Sequence, residues 1–232
     1  MIRKRNEYTK REPSKDAGKI YIICEGNING TEKDYYEFFE GLSSNLKLII
    51  IPSEDGKTDP LKLMEQAKKQ LLEETRLYNL DYMQNDKVWF AIDTDKWEEQ
   101  DKIQPLRDFC TEQNDVVKEL DERKPYNAWN VAQSNPCFEI WLYYHFYGTP
   151  PTEDDVKKHP SMKSYLDSNL IGGYNFQKDP VRIKDAIENS EKNFMRQENG
   201  NPALFSTEQH MLGKDILGFV RMEIAKLRNK IG

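Results

Sequence analysis

Short apolar runs alternate with amphipathic segments through the first 150 positions of the chain. Residues 19–24 (KIYIIC), 46–53 (LKLIIIPS), 87–92 (KVWFAI) and 126–133 (YNAWNVAQ) are rich in β-branched and aromatic side chains, a pattern that predicts four strands. Between them, Thr31 is placed to cap a helix with Asp34 three residues on, and Tyr35, Phe38, Phe39 and Leu42 supply its apolar face. From Pro60 to Tyr78, Leu61, Met64, Ala67, Leu71 and Leu72 recur at helical spacing, and 103–120 predicts another helix. After the polar pair Ser134 and Asn135, Pro136 falls at a first helical position and starts the helix CFEIWLYYHF.

Strands alternating with helices predict an α/β fold with a mainly parallel sheet of four or slightly more strands, flanked by helices on both faces. Beyond Pro150 the strand signal fades, leaving helical pieces near 153–169, 180–197 and 206–229. The expected division is a flexible segment over 1–17, an α/β core over 18–150 and a helical C-terminal extension over 151–232 packed on that core.

A length of 232 residues suits one large core rather than two unrelated enzymes. The formal net charge of −6 argues against a protein that coats nucleic acid over its whole surface. It does not exclude an acidic pocket that meets phosphates through divalent ions. Cys24, Cys110 and Cys137 lack the paired spacing of a zinc or redox site and read as core thiols. The basic start, MIRKRNEYTKREPSKD, has no apolar stretch behind it, and no later run is long enough to span a bilayer. A cytoplasmic protein without membrane contact is expected.

The chemistry is carried by carboxylates. In a parallel sheet the strand ends at which the chain leaves for a helix share one edge, where ligands bind. Glu25 ends the first strand and Asp93 the third, so the two converge. If the strand persists to Asp95, its period of two points Asp93 and Asp95 to the same side. Three acids in one small volume call for a cation, and all-oxygen ligands suit Mg²⁺ or Mn²⁺, which would activate a water for phosphodiester cleavage. Asp93 and Asp95 are assigned to metal binding, and Glu25 is left as ligand, general acid or base, or both in turn. The plain alternative makes Asp93 and Asp95 turn formers and Glu25 a surface acid.

The strings IYIICEG, GTEKDYYEFF, VWFAIDTD and SNPCFEIWLYYHF together resemble the RloB (AbiLii-like) family of TOPRIM-related proteins of bacterial defence loci, the last string being the most specific. The resemblance spans about residues 19–147, and no family residue is carried onto the C-terminal third. It maps the family's TOPRIM glutamate to Glu25 and its D-x-D pair to Asp93 and Asp95. It implies a TOPRIM-like fold, a nucleic-acid substrate (DNA or tRNA), a partner ATPase of the ABC or SMC type, and an effector role in antiphage immunity by abortive infection. Self-association into a homo-oligomer stays open.

Other residues carry weaker signals. Ser134 and Asn135 fall on the same edge, where they either bind substrate phosphate or cap the next helix. Gly26, in the loop GNING, is placed to offer its backbone to phosphate. Glu139 is the odd member of an apolar helix, either a supporting acid behind the metal ligands or a first-turn acid favoured by the helix dipole. His145 is expected to be a satisfied core histidine, and His159 and His210 surface residues. The basic strip Arg221, Lys226, Arg228 and Lys230 reads by default as a solvated face. Two other functions fit: a catalytically silent subunit that docks on an ATPase or senses a phage component, and a D-x-D nucleotide-sugar transferase. A haloacid-dehalogenase phosphatase is set aside because Trp97 stands where Thr or Val is wanted.

Overall fold

The computed structural model describes residues 10–26, 30–54, 59–94, 97–98, 100–120 and 126–231. The four expected strands form: β1 (Gly18–Cys24), β2 (Leu46–Pro52), β3 (Lys87–Asp93) and β4 (Trp129–Ser134). They make one sheet in the order β2-β1-β3-β4, every neighbouring pair parallel. Cys24 lies opposite Pro52 and Ala91, and Asp93 opposite Ser134, so all four strands end along one edge. This is the four-stranded parallel α/β architecture expected of a TOPRIM-like fold.

Strand sequences without polar alternation are explained by burial of both sheet faces. Ile20, Ile22, Cys24, Trp89 and Ala91 point into one apolar cluster, and Tyr21, Ile23, Val88, Phe90 and Ile92 into the other. The second cluster is covered by α2 (Pro60–Ala67) and α3 (Ile103–Leu120). The first is covered by α1 (Thr31–Glu37), α4 (Glu139–Tyr143), α6 (Met162–Asn169), α7 (Ile183–Lys192) and α8 (Gln209–Ile231), after the single turn α5 (Glu153–Val156). The C-terminal third thus shares a core with the sheet, its residues Leu212, Ile216 and Val220 fully buried beneath it.

Several local expectations are corrected. Thr31 does not cap α1: Gly30 holds the N-cap position without a side-chain bond, and Thr31 is the first helical residue. The helix begun at Pro60 is capped by Asp59, which accepts from the Leu61 amide at 2.9 Å, and passes into a π-turn over Lys68–Leu72 rather than continuing to Tyr78. Pro136 follows a cis peptide bond and precedes the helix instead of opening it, the N-cap being Phe138. Residues 1–9 of the segment expected to be loose lie outside the described residues, while the Arg11 and Ser14 amides donate to Gly41 and Ser44.

His145 is the core histidine expected. Its Nδ1 donates to the Trp141 carbonyl at 3.0 Å, leaving Nε2 to accept from the Tyr35 hydroxyl at 3.2 Å, and burial pushes its pKa down to about 3. His210 is not a surface residue. It lies against the Phe194 ring with Nδ1 bonded to the Thr207 carbonyl, because the chain around it packs on the sheet edge.

That packing closes the outer side of β4. Residues 205–209 run antiparallel past its end: Ser134 bridges Thr207, the Glu208 amide donates to the Gln133 carbonyl at 2.8 Å, and the Asn135 amide donates to the Ser206 carbonyl at 2.9 Å. Phe205 turns the chain into this run with φ of 61°, and its carbonyl is held by the Tyr144 hydroxyl at 2.8 Å. Glu208, buried, accepts from Arg107 at 2.7 Å, from Arg196 at 2.8 Å and from the Gln133 amide at 3.1 Å. Removing Glu208 takes the acceptor from the Gln133 amide and from two guanidinium groups that water still reaches, at 23% and 41% exposure. Glu208→Ala is therefore expected to cost about 1–3 kcal/mol, read as a lowered urea midpoint with an unchanged slope.

Candidate carboxylate site

The aligned strand ends place Glu25 beside Asp93, as expected. One residue beyond β1, the Glu25 amide still donates to the Ala91 carbonyl at 3.1 Å, so the strand pairing itself delivers the side chain. Its Oε2 accepts from the Asp93 amide at 3.0 Å and its Oε1 from the Trp97 indole at 2.6 Å. Glu25 is 9% exposed and fixed through both oxygens, which contradicts a loose surface acid. Asp95 lies outside the described residues.

A further acid joins them that the sequence did not single out. Glu32, in the first turn of α1, is buried at 7% exposure, and its Oε2 would stand 2.4 Å from a Cβ placed on Gly26. Gly26 is thus a glycine because Glu32 passes over it. The middle of the GNING loop, positions 27–29, lies outside the described residues, and with it the phosphate cradle expected to start at Gly26. The signal for Glu32 was present in GTEKDYYEFF, but an acid at a helix start has an ordinary explanation in the helix dipole.

Electrostatics binds these acids into one group. Burial, then Glu32, Glu25 and Glu139, push the Asp93 carboxyl well above its usual range, against a lowering backbone hydrogen bond at Phe138. Burial raises Glu32 as well, a backbone hydrogen bond of its own opposes this, and Glu139 adds to the rise. The half-buried Glu139 stands in the first turn of α4 and adds its charge to both. Cys137 feels the same charges, its thiol raised by burial, Glu139 and Asp93.

Ser134 and Asn135 sit at this edge but are engaged behind it. The fully buried Ser134 hydroxyl pairs with Thr207 Oγ1 at 2.8 Å, and Asn135 Nδ2 donates to the Pro202 carbonyl at 2.9 Å. Neither caps α4, and both hold the C-terminal segment in place rather than facing the acids. Thr94, next to Asp93, is locked likewise, donating to the Ser134 carbonyl at 3.0 Å and accepting from Gln133 at 2.8 Å. On the other flank Lys102 pairs with Asp59 and lies 4.9 Å from the Trp97 ring centroid.

The donor set suits a hard divalent cation, since four carboxylates repel one another in a desolvated site. Among the described residues, no three His, Cys, Asp or Glu side chains are arranged to enclose an ion. A cavity of about 400 Å³ opens at the opposite sheet edge, lined by Lys19, Lys87, Asp215 and Phe219, and plays no part in this chemistry.

A family model described as RloB-like protein matches residues 20–216. The match reaches well past the stretch 19–147 that carries the motifs and takes in β4's C-terminal cover. No curated protein and no solved structure matches the chain. No helix among the described residues is long and apolar enough to cross a membrane.

Gly26→Ala should be accommodated by withdrawal of the Glu32 carboxylate and a small shift at Gly30, whose Cα would stand 3.3 Å from the new methyl, and should weaken divalent-ion binding by about 10- to 100-fold, measured by calorimetry with Mn²⁺. An acid raised in the folded state ionises first in the unfolded chain, so stability declines as pH climbs above the ordinary carboxylate value of about 4. Asp93→Asn should therefore melt higher than the wild type at pH 8 in EDTA, with the difference vanishing near pH 4.

Proposed function

The chain belongs to the RloB-like family, and from that premise we propose that it is a metal-dependent TOPRIM-type nuclease acting on DNA or tRNA. The observation that supports this reading is the buried group of Glu25, Glu32, Asp93 and Glu139 at the carboxyl edge of the sheet. Mg²⁺ or Mn²⁺ would be held by Glu25, Asp93 and Asp95, with Glu32 and Glu139 as further acids. When bound, the cation supplies an activated water and neutralises charge on the transferred phosphate.

The protein's own groups have distinct tasks. Glu25 is oriented before any ion arrives, by the Trp97 indole and the Asp93 amide, and a carboxylate oxygen can take another partner beside a single N–H donor. The Asp93 carboxyl is raised by burial and its acidic neighbours, and a cation beside it would favour its ionised, ligating form. Glu139, in the first turn of α4, adds its charge to Asp93 and Glu32 from beyond β4 in the chain. Ser134, Asn135 and Thr94 keep the backbone of the edge rigid.

Given the net charge of −6, the basic groove for the nucleic acid belongs to a partner, here the ABC- or SMC-type ATPase that the resemblance implies. Arg228 on α8 is engaged with Asp185 through both guanidinium nitrogens, at 2.7 and 3.0 Å, which favours a solvated helix face over a backbone-tracking strip. A silent docking subunit is the second reading, favoured by the engagement of both Glu25 oxygens with donors of the chain itself.

Incubation of the purified protein with total tRNA and with plasmid, with and without the ATPase, separates the two. The nuclease should cut in Mg²⁺ or Mn²⁺ and lose about 100-fold or more of its rate in Glu25→Ala and Asp93→Asn. Cleavage that persists in both variants, or none with the partner and metal present, would overturn the reading.

A further inference from the structure

The loop over 196–202, far from the acids in sequence, grips the segment that carries Trp97. Glu98 accepts from Asn199 Nδ2 at 2.7 Å, from Asn201 Nδ2 at 3.0 Å and from Gln197 Nε2 at 3.5 Å. Three neutral amides from one short loop converge on one carboxylate. The loop is itself built for this: the Asn201 amide donates to Asn199 Oδ1 at 3.0 Å, the Gln197 amide to the Asn201 carbonyl at 2.8 Å, and Arg196 bridges Pro202. Its other side is fastened to the end of β4, where Asn135 donates to the Pro202 carbonyl.

We propose that Glu98 and the amides of Gln197, Asn199 and Asn201 form a positioning clamp that fixes Trp97 and, through its indole, the carboxylate of Glu25. The linkage is short. Glu98 follows Trp97 directly, the Trp97 amide donates to the Thr94 carbonyl at 3.1 Å, and the Trp97 indole donates to Glu25 at 2.6 Å. The Lys102 and Asp101 amides close the turn on the Trp97 and Glu98 carbonyls, both at 3.1 Å.

Amides suit the task better than a lysine or arginine would. A cation there would form an ion pair that competes for the neighbouring acids, whereas neutral donors hold the carboxylate and leave the field of the site unchanged. Burial alone would raise the Glu98 carboxyl, but the three amides outweigh it and hold the group below its usual range.

The coupling can be read without substrate. The chain has four tryptophans, so ¹⁵N-indole spectra give four signals to compare. Asn199→Ala, in an exposed part of the loop, should shift the Trp97 indole resonance and speed its hydrogen exchange by about tenfold, the loss of one ordinary hydrogen bond. The signals of Trp89, Trp129 and Trp141 should stay in place, showing the fold retained. Glu98→Gln, whose amide oxygen can still accept from both Asn199 and Asn201, should leave the Trp97 signal near its wild-type place, whereas Glu98→Ala should move it further than Asn199→Ala does.

Only the kinetic arm rests on the nuclease reading. There, Asn199→Ala should lower kcat about tenfold with KM for nucleic acid unchanged, as expected when positioning rather than binding is lost. A Trp97 signal that does not move in Asn199→Ala and Glu98→Ala overturns the clamp whether or not the wild type cleaves anything.

Discussion

Repulsion between carboxylates kept from water is the constraint around which this protein is arranged. A parallel sheet brings the ends of β1 and β3 together, and both ends carry acids. Hydrophobic burial on the two faces supplies the stability that tolerates them, with Ile22, Ile23, Phe90 and Trp129 fully enclosed. Each acid is also individually held: Glu25 by an indole and an amide, Glu32 by its passage over Gly26, Glu139 by the first turn of α4. The fold brings these acids together at one edge, where each raises the cost of ionising the next.

The C-terminal third makes that arrangement rigid. Its helices bury their apolar sides on one sheet face, while residues 205–209 lie along β4 and satisfy backbone groups that an edge strand would otherwise leave open. The ionic group of Arg107, Glu208 and Arg196 ties α3, the cover of β4 and the loop that follows α7 into one unit. What began in the sequence as a helical appendage is structurally a second wall of the site.

The α/β frame was legible because it rests on patterns that persist over several residues. The runs KIYIIC and KVWFAI could only be strands buried on both sides, and α3 occupies the predicted 103–120. Glu25 and Asp93 were legible because strand polarity alone puts their ends on one edge. Glu32 was not, since an acid after Thr31 looks like an ordinary helix start and its burial depends on the tight approach to Gly26. Ser134 and Asn135 were placed correctly on the edge, but the helix-cap alternative fails, and their bonds to Thr207 and Pro202 could not be foreseen because side-chain bonds to residues 73 and 67 positions away leave no local pattern. His210 was misjudged because its burial comes from the Phe194 ring and the packing of the start of α8 on the sheet edge, which the helical pattern over 206–229 does not disclose.

The cover of β4 also sets an order of events. Gln133 and Glu208 meet across 75 positions, and Tyr36 reaches Gln209 across 173. A chain still emerging from the ribosome can pair its four strands early, but it lacks the wall that steadies their acidic ends until the residues around Glu208 have followed. Strand pairing and the bracing of the carboxylates are therefore separate events in folding, the second waiting on the start of the last long helix.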